Sequence, residues 1–143
     1  MKLSSLFVGA ISAIVVIAVV LLIAGVHFER PVSRQGAALY NPANEIVVKG
    51  VVKEVQEYPC PVSEGEMGEH LMLQTEAGVI QIHLAPGRIL RSQKISFAAG
   101  DQISAVGSRF RLHGNNDVIA REITRGNENF IFRDHQGKLM LIQ

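Results

Sequence analysis

The alternation of hydrophobic and polar positions divides the chain into an apolar beginning and a β-rich remainder. Leu3–Val26 is a 24-residue stretch without charge, in which three serines are the only polar side chains. As a helix it would be roughly 36 Å long, enough to cross a hydrocarbon core of about 30 Å. Because the stretch is long and its end offers no good small-x-small pair, the pattern predicts a retained transmembrane anchor over residues 1–27. A cleaved signal segment is the alternative.

The composition of the chain changes twice after the apolar stretch. Residues 28–44 contain prolines, glycine and small residues without a hydrophobic period, and this predicts a linker. Short β-branched runs begin at Glu45 and predict a single domain over residues 45–143. The first strand, Ile46–Tyr58, loses its alternation near Gly50 and again near Lys53, which is typical of a bent or bulged strand.

Two alternating segments predict a β-hairpin. His70–Glu76 and Val79–Ala85 are separated by Ala77-Gly78, which suits a two-residue turn. This register pairs apolar residues on one face: Leu71 with Leu84, Leu73 with Ile82, and Thr75 with Ile80. The opposite face is then predicted to be polar and turned away from the core.

The rest of the domain continues the β pattern. Five further elements are predicted: a short helix within Pro86–Lys94, a long strand Gly100–Leu112 whose alternation switches at Val106-Gly107 and so predicts a bend there, a turn His113–Asp117, a strand Val118–Thr124, and a final hairpin of Phe130–Arg133 with Leu139–Ile142. The fold class is therefore all-β, with one short helix between the third and fourth strands.

The residues at the bends carry a resemblance to a known architecture. The segments are Gly50–Val55, Gly100–Gly107 and Val118–Ile123, and they resemble strands one, four and five of bacterial exported OB-fold proteins. The resemblance covers roughly residues 45–124. It implies a five-stranded OB-fold-like barrel followed by a C-terminal β-hairpin.

The architecture is also similar to that of the haem chaperone of cytochrome c maturation, which has one amino-terminal anchor and an exported OB domain. That family attaches haem through a histidine just after its last barrel strand. At the corresponding place this chain has Gly126 to Phe130, in which Glu128 and Asn129 match and Gly126 replaces the histidine. The resemblance therefore implies the architecture without the covalent haem attachment.

Charge argues against one common OB-fold role. The chain has 14 basic and 13 acidic residues, and Lys2 precedes the predicted anchor, so the part of the chain that follows the anchor is formally neutral. Nonspecific nucleic-acid binding needs excess positive charge, and single-stranded binding needs aromatic residues on the sheet, so we expect no nucleic-acid partner. Arginines are nevertheless concentrated in the second half of the domain, and four are candidates for docking a charged protein partner: Arg88, Arg91, Arg109 and Arg111.

The polar face of the hairpin contains candidate metal ligands. The predicted register sets Met72 opposite His83, with His70 as the diagonal neighbour, and Cys60 lies in the preceding loop. A cysteine, histidine and methionine set suits copper, and thiolate with imidazole also suits zinc. Solvent-exposed histidines with an inert Cys60 held between prolines are the alternative. Cys60 is the single cysteine, so no internal disulfide forms.

No catalytic motif is present in the sequence, and we expect no enzyme activity. The leading hypothesis is a membrane-anchored OB-fold module that lies in the periplasm or outside the cell. It would bind a protein partner or a small ligand, as an accessory subunit of a membrane complex. The alternatives are a metal or haem carrier that uses His70, His83 and Cys60, and, more weakly, a single-stranded nucleic-acid-binding protein.

Overall fold

A computed structural model describes residues 38–141 and shows that they form a six-stranded β-sheet. Its strands are β1 Glu45–Pro59, β2 Met67–Thr75, β3 Gly78–Pro86, β4 Gln102–Leu112, β5 Asn115–Arg125 and β6 Glu128–Ile131. Their order in the sheet is β3-β2-β1-β4-β5-β6, and neighbouring strands are antiparallel. The predicted all-β class is confirmed, and the sheet has six strands, whereas five barrel strands and a two-stranded C-terminal hairpin were predicted. The predicted helix is confirmed as α1, Gly87–Ser92.

β1 is long enough to pair with a different strand along each half. Val51 lies at the changeover, since it is opposite both Gln74 of β2 and Gln102 of β4. The strands approach so closely beside it that a Cβ on Gly50 would lie 2.1 Å from the Gln74 carbonyl oxygen. The pairing with β2 shifts between Val52 and Glu54, so the bend predicted near Lys53 is confirmed.

β4 bends at the position that its change of alternation predicts. Its pairing with β5 shifts between Val106 and Gly107, and a Cβ on Gly107 would meet the Ile119 carbonyl oxygen at 2.2 Å. The bends in β1 and β4 turn the sheet, and a short parallel pairing forms between β3 and β5, with Ile82 opposite Val118 and His83 opposite Ile119. The main apolar core lies inside this curve and includes Leu71, Leu73, Ile82, Leu84, Val118 and Phe132.

The β2–β3 hairpin differs from its predicted register by two residues. Thr75 lies opposite Gly78, Leu73 opposite Ile80 and Leu71 opposite Ile82. The turn is Glu76-Ala77 because the Thr75 hydroxyl accepts the Ala77 N–H and donates to the Gly78 carbonyl, while Gly78 adopts a φ of +119°. The prediction of Met72 opposite His83 is therefore wrong, since Met72 lies opposite Gln81 and His70 lies opposite His83.

The C-terminal hairpin also pairs differently from the prediction. β6 pairs with β5 across a turn at Gly126, and Ile123 lies opposite Phe130. Gly126 has a φ of +58°, a backbone conformation that glycine adopts with little strain, and the turn at this residue closes the β5–β6 hairpin. The predicted partner segment, Leu139–Ile142, comes later in the chain. Of the predicted pairing with Leu139–Ile142, an isolated bridge between Arg133 and Leu139 is present, and Ile142 lies outside the described residues.

Part of the predicted linker packs on the sheet. The Tyr40 side chain is buried, and its hydroxyl donates to the Glu45 carboxylate, which also accepts from Arg121 Nε at 2.8 Å. A 3-10 turn, Pro42–Asn44, then leads into β1. The predicted anchor, Leu3–Val26, lies outside the described residues. Between residues 38 and 141, no helix is both long enough and apolar enough to cross a membrane.

Arg125 at the end of β5 joins three parts of the fold. Its guanidinium donates to Asp101 at 2.9 Å, to the Ser96 carbonyl at 2.8 Å and to Glu128 at 2.8 Å. The same cation lies 5.2 Å from the centre of the Phe97 ring. Asp101 also accepts the Ala98 N–H at 3.0 Å, so its carboxylate holds the segment that leads into β4.

Asp101→Asn should lower the free energy of unfolding in a pH-dependent way. The Ala98 N–H and Arg125 stabilise the carboxylate, so the folded-state pKa of Asp101 lies below its ordinary value of 3.8. The contribution is complete above that value and is lost as the pH falls through the folded-state pKa. We expect the variant to be less stable by about 0.5–1 kcal/mol at neutral pH, in urea unfolding.

The difference from the wild-type chain should shrink toward zero below the ordinary pKa of the carboxyl. Glu76→Gln, an exposed change in the turn, is the control and should show no such pH dependence. A difference that stays constant down to strong acid would contradict the role of the Asp101 charge.

Candidate metal centre

The structure brings together Cys60, His70 and His83. One possible ligand atom from each side chain lies within 4.8 Å of the other two. The side chains are removed from water, with exposed fractions of 4% for Cys60, 0% for His70 and 1% for His83. The prediction that this hairpin face is turned to solvent is therefore wrong at His70 and His83, although Gln74 on the same face is exposed. A second hydrophobic cluster, Tyr40, Cys60, Val62 and Ile119, covers the buried part of the face.

Cys60 is held by the segment that follows β1. The residue lies between Pro59 and Pro61 and precedes a 3-10 turn, Pro61–Ser63. Its carbonyl accepts the Ser63 N–H at 3.1 Å, and its sulfur lies 3.5 Å from Ser63 Oγ. Gly68 permits this packing, because a Cβ there would lie 2.1 Å from Ser63 Oγ and 3.2 Å from the Cys60 sulfur. The thiol position is thus fixed by local geometry.

His70 is enclosed by rings. The Tyr58 ring stacks on its imidazole with centroids 3.9 Å apart and planes within 8° of parallel. The His83 ring meets it edge-on at 4.6 Å. Neither ring nitrogen of His70 has a hydrogen-bonding partner within residues 38–141. A fully buried imidazole without partners is unusual, because buried polar atoms nearly always bind something.

His83 has one satisfied nitrogen and one that is free. Its Nε2 lies 2.9 Å from Asp117 Oδ2, and since a carboxylate can only accept, Nε2 carries the proton. The Gln81 side-chain nitrogen lies 3.2 Å from the same Nε2 and donates to the Tyr58 hydroxyl. Nδ1 is buried and has no hydrogen-bonding partner among residues 38–141. Asp117 therefore orients the imidazole and leaves Nδ1 able to serve as a ligand, as in carboxylate–histidine pairs beside metals.

The surroundings favour a thiolate at Cys60. Burial raises the pKa of the thiol, but the nearby imidazoles of His70 and His83 and the Ser63 hydroxyl outweigh burial and lower the pKa to about 5. Arg133 is buried as well and donates to the Ala120 carbonyl at 2.6 Å. Burial lowers the pKa of Arg133 to about 10, and the charge of Cys60 opposes that shift. The guanidinium is thus a positive charge that stabilises the thiolate.

A pocket gives access to the cluster from one side. Its volume is about 600 Å³, and it is lined by Ala38, Leu39, Pro59, Cys60, Pro61 and Gly65. Cys60 is the cluster residue that reaches this wall, whereas both histidines lie deeper. The other pocket wall residues are small or apolar, so a neutral or apolar group suits this entrance.

The other predicted site residues lie elsewhere. Met72 is half-buried on β2, two residues beyond His70 and on the same face. Two of the four arginines are in ion pairs, Arg88 with Glu66 and Arg91 with Glu57. Arg109 and Arg111 are exposed on β4, and within residues 38–141 neither of them forms an ion pair.

The sequence reasoning missed the residues that support the cluster. Asp117 was predicted to lie in a turn, although it is the second residue before Ile119, the partner of His83 in the parallel pairing. Tyr58 and Phe110 lie within predicted strands, and Ser63 and Gly68 lie between the first two of them. No local signal distinguishes them, because each reaches the site through pairing between strands that are distant in sequence.

Titration of metal-free protein should reveal the stabilised thiolate. The ultraviolet absorbance of the Cys60 thiolate should appear with a midpoint near pH 5, compared with an ordinary pKa of 9.0. His70→Gln combined with His83→Gln should move the midpoint upward, because burial then acts without the imidazoles. Ser96→Ala, an exposed serine, is the control. A wild-type midpoint at or above 9.0 would contradict this electrostatic account.

Comparison with known proteins assigns the chain to a family. No curated protein matches the chain. Among solved structures it is similar to the S. pombe Stn1–Ten1 complex, with 14% identity, a TM-score of 0.46, and coverage of 59% of this chain and 59% of that chain. The resemblance to the haem chaperone stays a prediction. The sequence profile of the MamS/MamX magnetosome protein family matches residues 45–130, which is more than half of the chain. The chain therefore belongs to the MamS/MamX magnetosome protein family.

Proposed function

We propose that this domain binds a copper ion through Cys60, His70 and His83. The observation that supports the proposal is the set of unpartnered nitrogens on two buried imidazoles beside a buried cysteine. Each unsatisfied buried polar group costs about 1–3 kcal/mol. One bound cation would satisfy the thiolate and both imidazoles at once, so the cost of burying them is recovered when the ion binds.

The donor set and the charge both favour copper over zinc. Zinc in structural sites takes four ligands, whereas this cluster offers three among the described cysteine, histidine and acidic residues. Soft thiolate and imidazole donors suit copper. A Cu(I) ion on one thiolate and two neutral imidazoles gives a neutral group, which is the least costly to bury. The thioether of Met72 is a further soft donor on the same face.

The shell around the donors supports the same function. Asp117 fixes the His83 tautomer. The Tyr58 ring stacks on the His70 imidazole, and the centre of the Phe110 ring lies 5.1 Å from the centre of the His83 ring. Such contacts hold ligands in place before the ion arrives and reduce the conformational entropy lost on binding.

Competition with a chromophoric Cu(I) chelator tests the site. Cys60→Ser, His70→Gln and His83→Gln should each weaken Cu(I) binding by at least about 100-fold, and Asp117→Asn by about 10–100-fold. Met72→Leu measures the contribution of the thioether. Binding should raise the melting temperature, because an ion present at about 1,000 times its Kd adds about 4 kcal/mol to stability.

His135→Gln is the matched control, since His135 is exposed and distant in sequence from the three ligands. It should leave Cu(I) affinity unchanged. The proposal fails if the wild-type domain does not compete for Cu(I), or if all ligand variants bind as the control does. Stronger stabilisation by Zn²⁺ than by Cu(I) would replace copper with zinc.

We further propose that the domain is a non-catalytic accessory module of a magnetosome protein assembly, held at a membrane by the predicted anchor. Membership of a magnetosome family supports this role. The exposed Arg109 and Arg111 support an acidic protein partner, because they are neighbours on one face of β4 and, within the part of the chain that the structure describes, lack ion pairs like those of Arg88 and Arg91.

Copurification from native membranes tests the docking surface. Arg109→Glu with Arg111→Glu should abolish copurification of a partner that the wild-type chain retains, since charge reversal repels an acidic surface. Lys53→Glu with Lys138→Glu makes the same charge change at exposed positions elsewhere and is the control. Equal loss, or equal retention, in both pairs would contradict docking through β4.

A further inference from the structure

We infer that the copper centre is redox-active and carries one electron, which is exchanged beside Cys60 through the apolar pocket at its surface. This inference rests on the proposed copper site and adds an activity to it. One thiolate and two imidazoles are the donor set of blue-copper electron-transfer centres, in which a weak axial ligand is common. Here Met72 is the thioether on the same strand face as His70.

The first argument is the rigidity of the donors. Cu(I) and Cu(II) prefer different geometries, so fast electron exchange needs ligands that cannot rearrange. His70 and His83 face each other across a paired position of β2 and β3, and Cys60 is fixed between two prolines. The three side chains have exposed fractions of 4% or less. The site can therefore hold one compromise geometry for both oxidation states.

The second argument is the environment of the sulfur. Hydrogen bonding and hydrophobicity around the cysteine tune the potential of such a centre. Ser63 Oγ lies 3.5 Å from the Cys60 sulfur, and the remaining neighbours include Val62, Ile119 and Tyr40. A single hydroxyl beside the thiolate in an apolar cluster can stabilise its charge and so raise the reduction potential.

The third argument is the position of the pocket. The wall of the pocket is apolar apart from its backbone and includes Cys60, while the histidines remain covered. An electron-transfer partner needs close approach to one ligand and exclusion of water from the ion. The pocket provides the approach at Cys60, and burial of the imidazoles provides the exclusion.

The electron balance is simple. Cu(I) gives one electron to a one-electron oxidant and becomes Cu(II), and a one-electron reductant returns it. The thiolate stays deprotonated in both states, so no proton is taken up or released and no bond to carbon changes. Electron-transfer metalloproteins are the chemical class of the physiological donor and acceptor.

Spectroscopy of the copper-loaded full chain tests the inference. Ferricyanide should oxidise the Cu(I) protein to a Cu(II) form with an intense visible thiolate-to-copper charge-transfer band, and ascorbate should remove the band over repeated cycles. Cys60→Ser should lose the band, and His135→Gln should keep it. Ser63→Ala should keep the band and shift the midpoint potential downward, because the thiolate loses a stabilising hydroxyl. Ser96→Ala, an exposed serine, should leave the potential unchanged.

The outcomes separate this inference from the proposed function. A chain that binds Cu(I) in competition but releases the ion on oxidation overturns the redox role and leaves copper binding intact. Oxidation of Cys60 in place of copper, which mass spectrometry detects, would also overturn the redox role and leave copper binding intact. A Cu(II) form that lacks the charge-transfer band also overturns the redox role. If the chain binds copper in neither oxidation state, both the proposed copper binding and the redox role are overturned.

Discussion

The burial of two histidines side by side, across the β2–β3 pair, is the constraint on which the rest of the structure depends. His70 and His83 lie directly opposite one another and are almost fully removed from water. Such polar rings need partners or the fold loses stability. Asp117 satisfies one nitrogen, and the free nitrogens remain close to the Cys60 sulfur. Copper coordination, as proposed here, turns this local cost into a binding function.

The bends of the long strands make that burial possible. β1 pairs with β2 along one half and with β4 along the other, and close approaches at Gly50 and Gly107 leave no room for a side chain. The resulting curvature brings β5 beside β3, so Asp117 and Ile119 reach a face that β2 and β3 alone would leave open to water. The main apolar core lies on the other face of the same hairpin.

The charged residues form two separate groups, one buried beside the candidate metal site and one on the surface. Buried Arg133 offsets negative charge near Cys60, and buried Asp117 is paired with His83. On the surface, Arg88 and Arg91 are neutralised by glutamates, whereas Arg109 and Arg111 are exposed without an ion pair among the described residues. A single small domain of the MamS/MamX family can therefore carry both a metal centre and a separate docking face, as we propose.

The alternation of apolar and polar residues in the sequence was enough to determine which side chains share a face of the hairpin, even though the predicted register was wrong. Side chains repeat every two residues, so a shift of two positions left His70, Met72 and His83 together and kept Leu71 and Ile82 in the core. The bends at Lys53 and Gly107 and the helix α1 were also predictable, because glycine and changes of alternation act locally. Tertiary structure alone decided that the histidine face is buried. Its cover comes from Cys60, Phe110 and Asp117, and strand pairing over long sequence distances brings these residues together in a way that no local pattern records.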